Sequence, residues 1–190
     1  APPATIAAGA SATFEVTFSP TTHGVRDAIV RIANNSDNIN PSFDFNVRGT
    51  GNNAEIGVTG NGNAVSNGST IISPTNNTLI GTANLNPANP TTISKDFVIT
   101  NSGNVTLNIS AITLSGADAS QFSVTPSTAT ISAGSTGTIT VTFAPTSSGV
   151  KNAIINIANN DLTDNENPYT FAVQGNAVSF IACAPGDPII

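Results

Sequence analysis

The sequence predicts an all-β protein built from antiparallel β-sandwiches in tandem. One stretch occurs twice, as SATFEVTFSPTTHGVRDAIVRIANN over residues 11–35 and as TGTITVTFAPTSSGVKNAIINIANN over residues 136–160, and more than half of the aligned positions are identical. An internal repeat of this kind indicates an array of similar structural units. In both copies apolar residues alternate with threonine or other polar residues, which is typical of a strand with one buried face.

Each copy of the repeat follows the same order of elements. A strand ends at a turn that contains proline and glycine, a second strand follows, and a polar Asn/Asp loop leads to a third strand. This order is that of the last part of an antiparallel sandwich. The side chains that should point inward lie at alternate positions, namely Ala28, Val30, Ile32, Phe43, Phe45 and Val47 in the first copy and Ala153, Ile155, Ile157, Tyr169, Phe171 and Val173 in the second.

Residues 1–50 hold only three predicted strands, at about 12–18, 25–33 and 43–48. Three strands leave one apolar face of a sandwich uncovered. We therefore expect residues 1–50 to be the C-terminal part of a sandwich. Its missing strands would come either from residues that precede Ala1 or from another chain, by strand addition at an open edge.

Residues 54–177 are predicted to form one complete sandwich. Its strands are expected at 54–58, 93–100, 105–109 and 121–124, with an edge strand at 69–73, before the repeat completes the domain. Phe97 and Ile99 should point inward, residues 101–104 should form a hairpin turn, and the change of phase at Ile112 suggests a bend. Residues 49–53 and 175–177 resemble linkers, and residues 178–190 are a linker or the start of a further module.

The composition excludes several classes of function. Of the 190 residues only 8% are charged, and the net charge is −6, whereas an average soluble domain has about 25% charged residues. An acidic chain without a basic stripe is a poor candidate for binding nucleic acid or an anionic lipid surface. No apolar run approaches the ~20 residues of a membrane span, and one cysteine allows no internal disulfide.

The segments VITNSGNVTLNISAITLSGADASQFSV and GSTGTITVTFAPTSSGVKNAIINIANND, followed by NPYTFAVQG, carry a resemblance to a known family. They resemble the choice-of-anchor D repeat of bacterial surface proteins, which is similar to the immunoglobulin-like domains of abnormal-spindle and hydin proteins. The resemblance covers nearly all of residues 55–177 and the second half of another copy in residues 1–50. It implies immunoglobulin-like sandwiches in a secreted or surface-anchored bacterial protein, without a catalytic motif.

The sequence offers no catalytic constellation. His23 is the only histidine, it lies in a turn, and Ser148 takes its place in the second copy, so no Ser-His-Asp or Cys-His arrangement is expected. Cys183 is expected outside the folded core. Lys95 and Lys151 are expected to be solvated, the alternative being the lysine–asparagine cross-link of some bacterial immunoglobulin-like stalks.

One loop is a candidate metal site. Asp161, Asp164 and Glu166 are interleaved with asparagines between two predicted strands, and carboxylate and carbonyl oxygens are the ligands that calcium prefers. The spacing does not match an EF-hand loop, and loops between strands are normally polar. We therefore expect no cofactor, with calcium as the alternative.

These observations predict a structural role outside the cell. The chain would be a stalk or spacer of a large secreted or cell-surface bacterial protein, such as an adhesin or an extracellular filament. Its expected partners are neighbouring repeats of the same protein or other copies in a filament, without nucleic acid and without membrane insertion. The alternative is an immunoglobulin-like module that binds glycan or protein and is appended to a secreted enzyme.

Overall fold

The computed structural model describes residues 5–22, 24–35, 41–86 and 90–179, and the chain divides into two compact units, Ala1–Gly51 and Asn52–Ile190. Apart from one 3-10 helix at Ala119–Gln121, every regular element in the described residues is a strand. The all-β prediction is therefore confirmed. No described helix has the length and apolar character needed to cross a membrane.

The first unit contains one described hairpin. Strand β1 (Gly24–Ala33) pairs antiparallel with β2 (Ser42–Gly51) in one unbroken register. One face of the hairpin carries two exposed cross-strand ion pairs, Arg31–Asp44 at 2.8 Å and Arg48–Asp27 at 2.7 Å. Opposite charges directly across a ladder favour this register.

The other face of the hairpin is apolar and only partly covered. Val30, Ile32 and Phe45 are half-buried there, while Ala28 is exposed. Phe43 is 62% exposed, although its ring centroid lies 6.1 Å from that of Phe45. The side chains predicted to point inward therefore share a face, but among the described residues that face has no second sheet against it.

The second unit is a sandwich of eleven strands. They are β3 (Ile56–Gly60), β4 (Asn63–Ala64), β5 (Leu79–Asn84), β6 (Ile93–Asn101), β7 (Leu107–Ile109), β8 (Ala111–Ser115), β9 (Phe122–Thr125), β10 (Ala129–Ile131), β11 (Thr136–Phe143), β12 (Gly149–Ala158) and β13 (Tyr169–Val178).

These strands form two main sheets with the core between them. One sheet has the order β4-β3-β6-β11-β9 and the other β5-β13-β12-β8, while β10 and β7 pair separately. All pairs are antiparallel except β13 with β5, which is parallel. Phe97 of the first sheet and Phe171 of the second are buried, and their rings lie 5.1 Å apart. Alternation in both strands places these side chains face to face.

The two terminal hairpins have equivalent registers. The pair Val30↔Phe45 in the first unit corresponds to Ile155↔Phe171 in the second, and the pairs on either side also correspond. A close contact is repeated as well. A Cβ at Gly175 would lie 2.5 Å from the ring of Phe143, and a Cβ at Gly49 would lie 2.7 Å from the ring of Phe18. Glycine at both positions lets the phenylalanine ring lie against the strand.

The predicted strand at residues 12–18 is wrong. No described residue before β1 forms a strand, and Phe14, Val16 and Phe18 are 41%, 50% and 47% exposed. The equivalent segment in the second unit is β11, which pairs with β6 on one side and β9 on the other. The described part of the first unit contains neither neighbour, so this segment has no strand to pair with. Its apolar and polar residues nevertheless alternate as those of β11 do.

Several predictions in the second unit also need correction. Residues 101–104 do not close a hairpin, because β6 ends at Asn101 and β7 pairs with β10. Residues 69–73 form only an isolated bridge, Ser69 to Phe171. Residues 175–177 are not a linker but part of β13, just as residues 49–51 of the other predicted linker belong to β2. Strands β5 and β10 were not predicted.

Other sequence predictions are confirmed. Phe97 and Ile99 are buried, and so are the six inward positions of the second copy. The change of phase at Ile112 marks the place where the chain leaves the β7–β10 pair and enters the four-stranded sheet, because β8 pairs with β12. His23, Cys183 and most of the predicted module at 178–190 lie outside the described residues.

Candidate functional site

The loop between β12 and β13 is held by its own asparagine. Asn159 is buried, and its side-chain amide donates to the backbone carbonyls of Ile157 at 3.1 Å and Glu166 at 2.8 Å. Its side-chain oxygen accepts from the backbone N–H of Asp161 at 2.7 Å. Asp164 and Asn165 then take left-handed conformations, with φ of 54° and 61°, which Asp and Asn tolerate better than most residues. These interactions turn the chain back, so that Glu166 lies close to Asp161.

Asp161 joins this loop to the start of β3. The residue has no solvent-exposed surface. One carboxylate oxygen accepts from the backbone N–H of Ile56 at 3.0 Å, and the other accepts from the backbone N–H of Thr163 at 2.9 Å. The Thr163 hydroxyl is also 2.9 Å from that second oxygen, and the Asn53 amide is 3.4 Å away. Charge-assisted hydrogen bonds of this kind are the strong ones, so Asp161 fixes the loop to the beginning of the unit.

Three carboxylates meet at this point. Oxygens of Glu55, Asp161 and Glu166 lie within 4.8 Å of one another. The sequence predicted Asp161 and Glu166 here but also Asp164, which instead is an exposed turn residue outside the cluster. Glu55 was not predicted. It is remote in sequence and reaches the loop only because the start of β3 contacts the residues that precede β13.

The charges in the cluster affect one another. Burial raises the pKa of Glu166 above its ordinary value, and the negative charges of Asp161, Glu55 and Asp164 raise that pKa further. Burial also raises the pKa of Tyr169 to about 12, with a further contribution from Glu166. Both shifts show that additional negative charge is disfavoured here.

The cluster is already supplied with protein donors. Besides the bonds to Asp161, one oxygen of Glu55 accepts from the Asn53 amide at 3.1 Å and lies 3.2 Å from the Thr163 hydroxyl. Among the described residues, no buried side-chain nitrogen or oxygen lacks a hydrogen-bond partner. Calcium takes six to eight oxygen ligands, whereas the carboxylates of Glu55 and Asp161 already accept hydrogen bonds that hold the loop. The arrangement favours a structural role.

Adding calcium should therefore leave the thermal stability unchanged. A bound ion would raise the free energy of unfolding by RT ln(1 + [L]/Kd), about 2.7 kcal/mol at a hundredfold excess over Kd. The measurement is the melting temperature in millimolar calcium and in chelator. A higher melting temperature in calcium, lost in Glu166→Gln, would establish a metal site at this cluster.

Neutralising Glu166 should stabilise the second unit at neutral pH. Because its pKa is raised in the fold, the folded state binds this proton more tightly than the unfolded chain does. The contribution of Glu166 to stability is therefore fully present below the ordinary glutamate pKa of 4.5, and it is lost as the pH rises through the folded-state pKa. We expect Glu166→Gln to add about 0.5 kcal/mol at neutral pH, after allowance for solvent screening.

Urea denaturation of both proteins as a function of pH measures this effect. The difference between Glu166→Gln and the parent should vanish in acid, where Glu166 is protonated in both states. Gln174→Glu is a control, since it places a new carboxylate in the middle of β13, away from the cluster. A Glu166→Gln variant that is less stable than the parent at neutral pH would contradict the predicted repulsion.

Lys151 lies beside a carboxylate. Its ammonium nitrogen is 3.7 Å from Asp118, and Asp118 also accepts from the backbone N–H of Asn152 at 3.1 Å. Asp118 thus ties the turn after β8 to β12. Lys95 lies in β6 opposite Val141 and is half-buried. The prediction of a solvated side chain is wrong for Lys151, which is 13% exposed. The cross-link suggested for these lysines stays an untested alternative.

One region of the second unit matches a known protein family. Residues 89–166 match the ASH family model. That family is described as abnormal spindle-like microcephaly-associated, ASPM-SPD-2-Hydin, and the matched region runs from just before β6 to the β12–β13 loop. ASH domains are binding or structural modules without catalytic activity. No curated protein matches the chain by sequence.

Solved structures with a related strand arrangement are distant in sequence. A protein of unknown function from Porphyromonas gingivalis W83 is 12% identical, with a TM-score of 0.46 over 83% of this chain and 68% of that one. The ASH/PapD-like domain 7 of human CEP192 is also 12% identical, with a TM-score of 0.38 over 70% and 91%. WR4, an MSP family member from C. elegans, is 14% identical, with a TM-score of 0.33 over 51% and 92%.

Proposed function

We propose that this chain is a non-catalytic structural segment, a stalk or spacer, of a large secreted or cell-surface bacterial protein. It would consist of immunoglobulin-like repeats in tandem, of the choice-of-anchor D type that its sequence resembles. The proposal is supported by the internal repeat, by the equivalent registers of the two terminal hairpins, and by the ASH match of residues 89–166.

The observation that carries the spacer role is the placement of the first and last strands of the second unit. Asp161 bonds to Ile56 at the start of β3, so that start lies at the end of the sandwich where β13 begins. The ten residues of β13 then run to Val178, which is about 30 Å at ~3.3 Å per residue. The start of β3 and the end of β13 therefore lie at opposite ends of the sandwich, as a spacer requires.

The position of the last strand also suits a load-bearing element. Strand β13 lies between β12 and β5 and is hydrogen-bonded on both sides. A pull on the two ends of the unit would act along β13 and load both ladders in shear, so many hydrogen bonds would have to break together. A strand at the edge of a sheet would have a ladder on one side only.

Single-molecule stretching of the full chain between two handles tests this role. We expect one resolved unfolding peak for the second unit, with a length gain of about 3.3–3.6 Å for each residue released. The matched variant is Val173→Pro, which breaks the ladders in the middle of β13 and should lower the force. A second unit that extends without a peak would contradict the spacer role.

The binding module stays the second candidate, because exposed aromatic side chains in the first unit are the kind of surface that binds partners. A glycan array probed with the full chain tests its sugar-binding form. The spacer role predicts no specific signal. Specific binding at micromolar affinity would replace the spacer role with a binding role.

A further inference from the structure

We propose that the outer face of the β1–β2 hairpin binds the same face of a second copy of this chain, in a face-to-face dimer with twofold symmetry. The outer face consists of the alternate residues of both strands that include the two cross-strand ion pairs. The inference goes beyond the spacer role, because it names a surface by which two such chains would associate. Cross-linking tests it and stretching tests the spacer, so that either can fail alone.

The outer face carries exposed apolar side chains between its charges. Val25 and Ile29 of β1 are exposed there. This exposure does not depend on the strands that would complete the first unit, because the equivalent residues of the second unit, Val150 and Ile154, are exposed on a closed sandwich. Exposure of single apolar residues does not by itself indicate a partner. The arrangement of the charges around Ile29 carries the inference.

The charges around Ile29 alternate in sign. Asp27 and Arg31 lie two residues to either side of it on β1. Arg48 of β2 lies opposite Asp27, at 2.7 Å, and Asp44 lies opposite Arg31, at 2.8 Å. In the same register the second unit has uncharged residues, namely Asn152, Asn156, Thr170 and Gln174. Since exposed ion pairs also add little to stability, the fold does not require these charges.

This pattern complements itself when a second copy is turned over onto it. The twofold axis lies in the plane between the two faces, crosses the strands at a right angle and passes through Ile29. It places Arg31 of the second copy over Asp27, and Asp44 of the second copy over Arg48. Each of these residues keeps the ion pair within its own hairpin. Four charges of alternating sign therefore meet on either side of the axis, which is the complementarity that selects one partner and one register.

The same axis brings the apolar residues of the two copies together. Ile29 lies on the axis and would contact Ile29 of the second copy. Val25 and Ala33 lie four residues to either side of it on the same face, so Val25 of each copy would lie over Ala33 of the other. An axis parallel to the strands would also match the charges, but it would place Ile29 over Asn46. Burial of apolar area therefore favours the axis that crosses the strands.

The size of the face indicates a weak association. Two strands of ten residues cover about 33 Å by about 10 Å. Each copy thus offers a face of roughly 300 Å², whereas a standard interface buries about 800 Å² on each partner. The four charges contribute much of the contact, so the dimer should form at high protein concentration and low salt.

Cross-linking of the full chain tests the symmetry. The variant is Ile29→Cys in a chain with Cys183→Ser, so that the introduced thiol is the only one. A bis-maleimide that spans about 10 Å, the separation of packed sheets, should link two copies, with a yield that rises with concentration and falls with salt. Val25→Cys is the control on the same face. Its thiols would lie eight residues of strand apart, about 26 Å, and should not be linked.

Exchanging the charges tests the complementarity. Arg31→Asp with Asp44→Arg keeps an ion pair across the hairpin but places like charges over Asp27 and Arg48 of the second copy. We expect the yield of linked dimer to fall at least about tenfold, because facing like charges are strongly unfavourable. Asp27→Arg with Arg48→Asp should have the same effect. A mixture of the two exchanged chains should be linked again, since each then meets opposite charges on the other.

Recovery in the mixture would also show that both exchanged hairpins are folded. Sedimentation of the same chains with Ile29 in place is a second readout and should follow the same order. The proposal would be overturned if Ile29→Cys is linked no better than Val25→Cys, if the exchanged chains dimerise as well as the parent, or if their mixture does not recover. A dimer that survives either exchange would use another surface.

Discussion

Replacing Asp161 with alanine should destabilise the second unit by about 3 kcal/mol or more. The change leaves the backbone N–H groups of Ile56 and Thr163 without their acceptor in a buried place. Each buried donor that loses its acceptor typically costs about 1–3 kcal/mol, because the group stays desolvated. Urea denaturation followed by circular dichroism measures the loss.

Asp164→Asn is the matched control for this variant. Asp164 lies in the same loop but is exposed, with a positive φ that asparagine also tolerates. We expect a change of no more than about 0.5 kcal/mol. If Asp161→Ala were as mild as Asp164→Asn, the loop would not depend on its buried carboxylate.

Replacing Phe171 with alanine should cost the second unit about 3–5 kcal/mol, the usual range for a fully buried phenylalanine. Its ring is 1% exposed and contacts that of Phe97 across the two sheets. The corresponding residue of the first unit is Phe45, which is only half-buried. Phe45→Ala should cost the first unit less than about 1.5 kcal/mol, because no described sheet covers that face.

Hydrogen exchange at the strands around each substitution measures the two losses of stability. The method reports on each unit separately within one chain, because each unit has its own amides. A loss from Phe45→Ala equal to that from Phe171→Ala would mean that the first unit has a complete core.

The sequence predicted well those features that depend on local alternation. The strands from β11 to β13 and their inward residues follow from a period of two, and the repeat transfers the same register to β1 and β2. It predicted less well where a strand depends on its neighbours. The alternation from Phe14 to Phe18 equals that of β11, yet a strand needs a ladder partner, and the described part of the first unit provides none.

The candidate site was predicted in part for a similar reason. The carboxylates of the β12–β13 loop are dense in the sequence, so Asp161 and Glu166 were identified. The burial of Asp161 and the arrival of Glu55 depend on how β3 lies against the loop, and no local spacing indicates that. Asp164 is equally acidic but occupies the left-handed turn, which directs it away from the other carboxylates.

The central contrast is that β12 and β13 belong to a closed sandwich, whereas the described residues place no third strand beside β1 and β2 and no second sheet against them. Residue-resolved hydrogen exchange of the full chain at low concentration tests it directly, because corresponding amides are compared within one molecule. Ile155 and Ile157 should exchange only through global unfolding of their unit, and Val30 and Ile32 should exchange at least about a hundredfold faster, through local opening. Equal protection at the two hairpins would contradict the account.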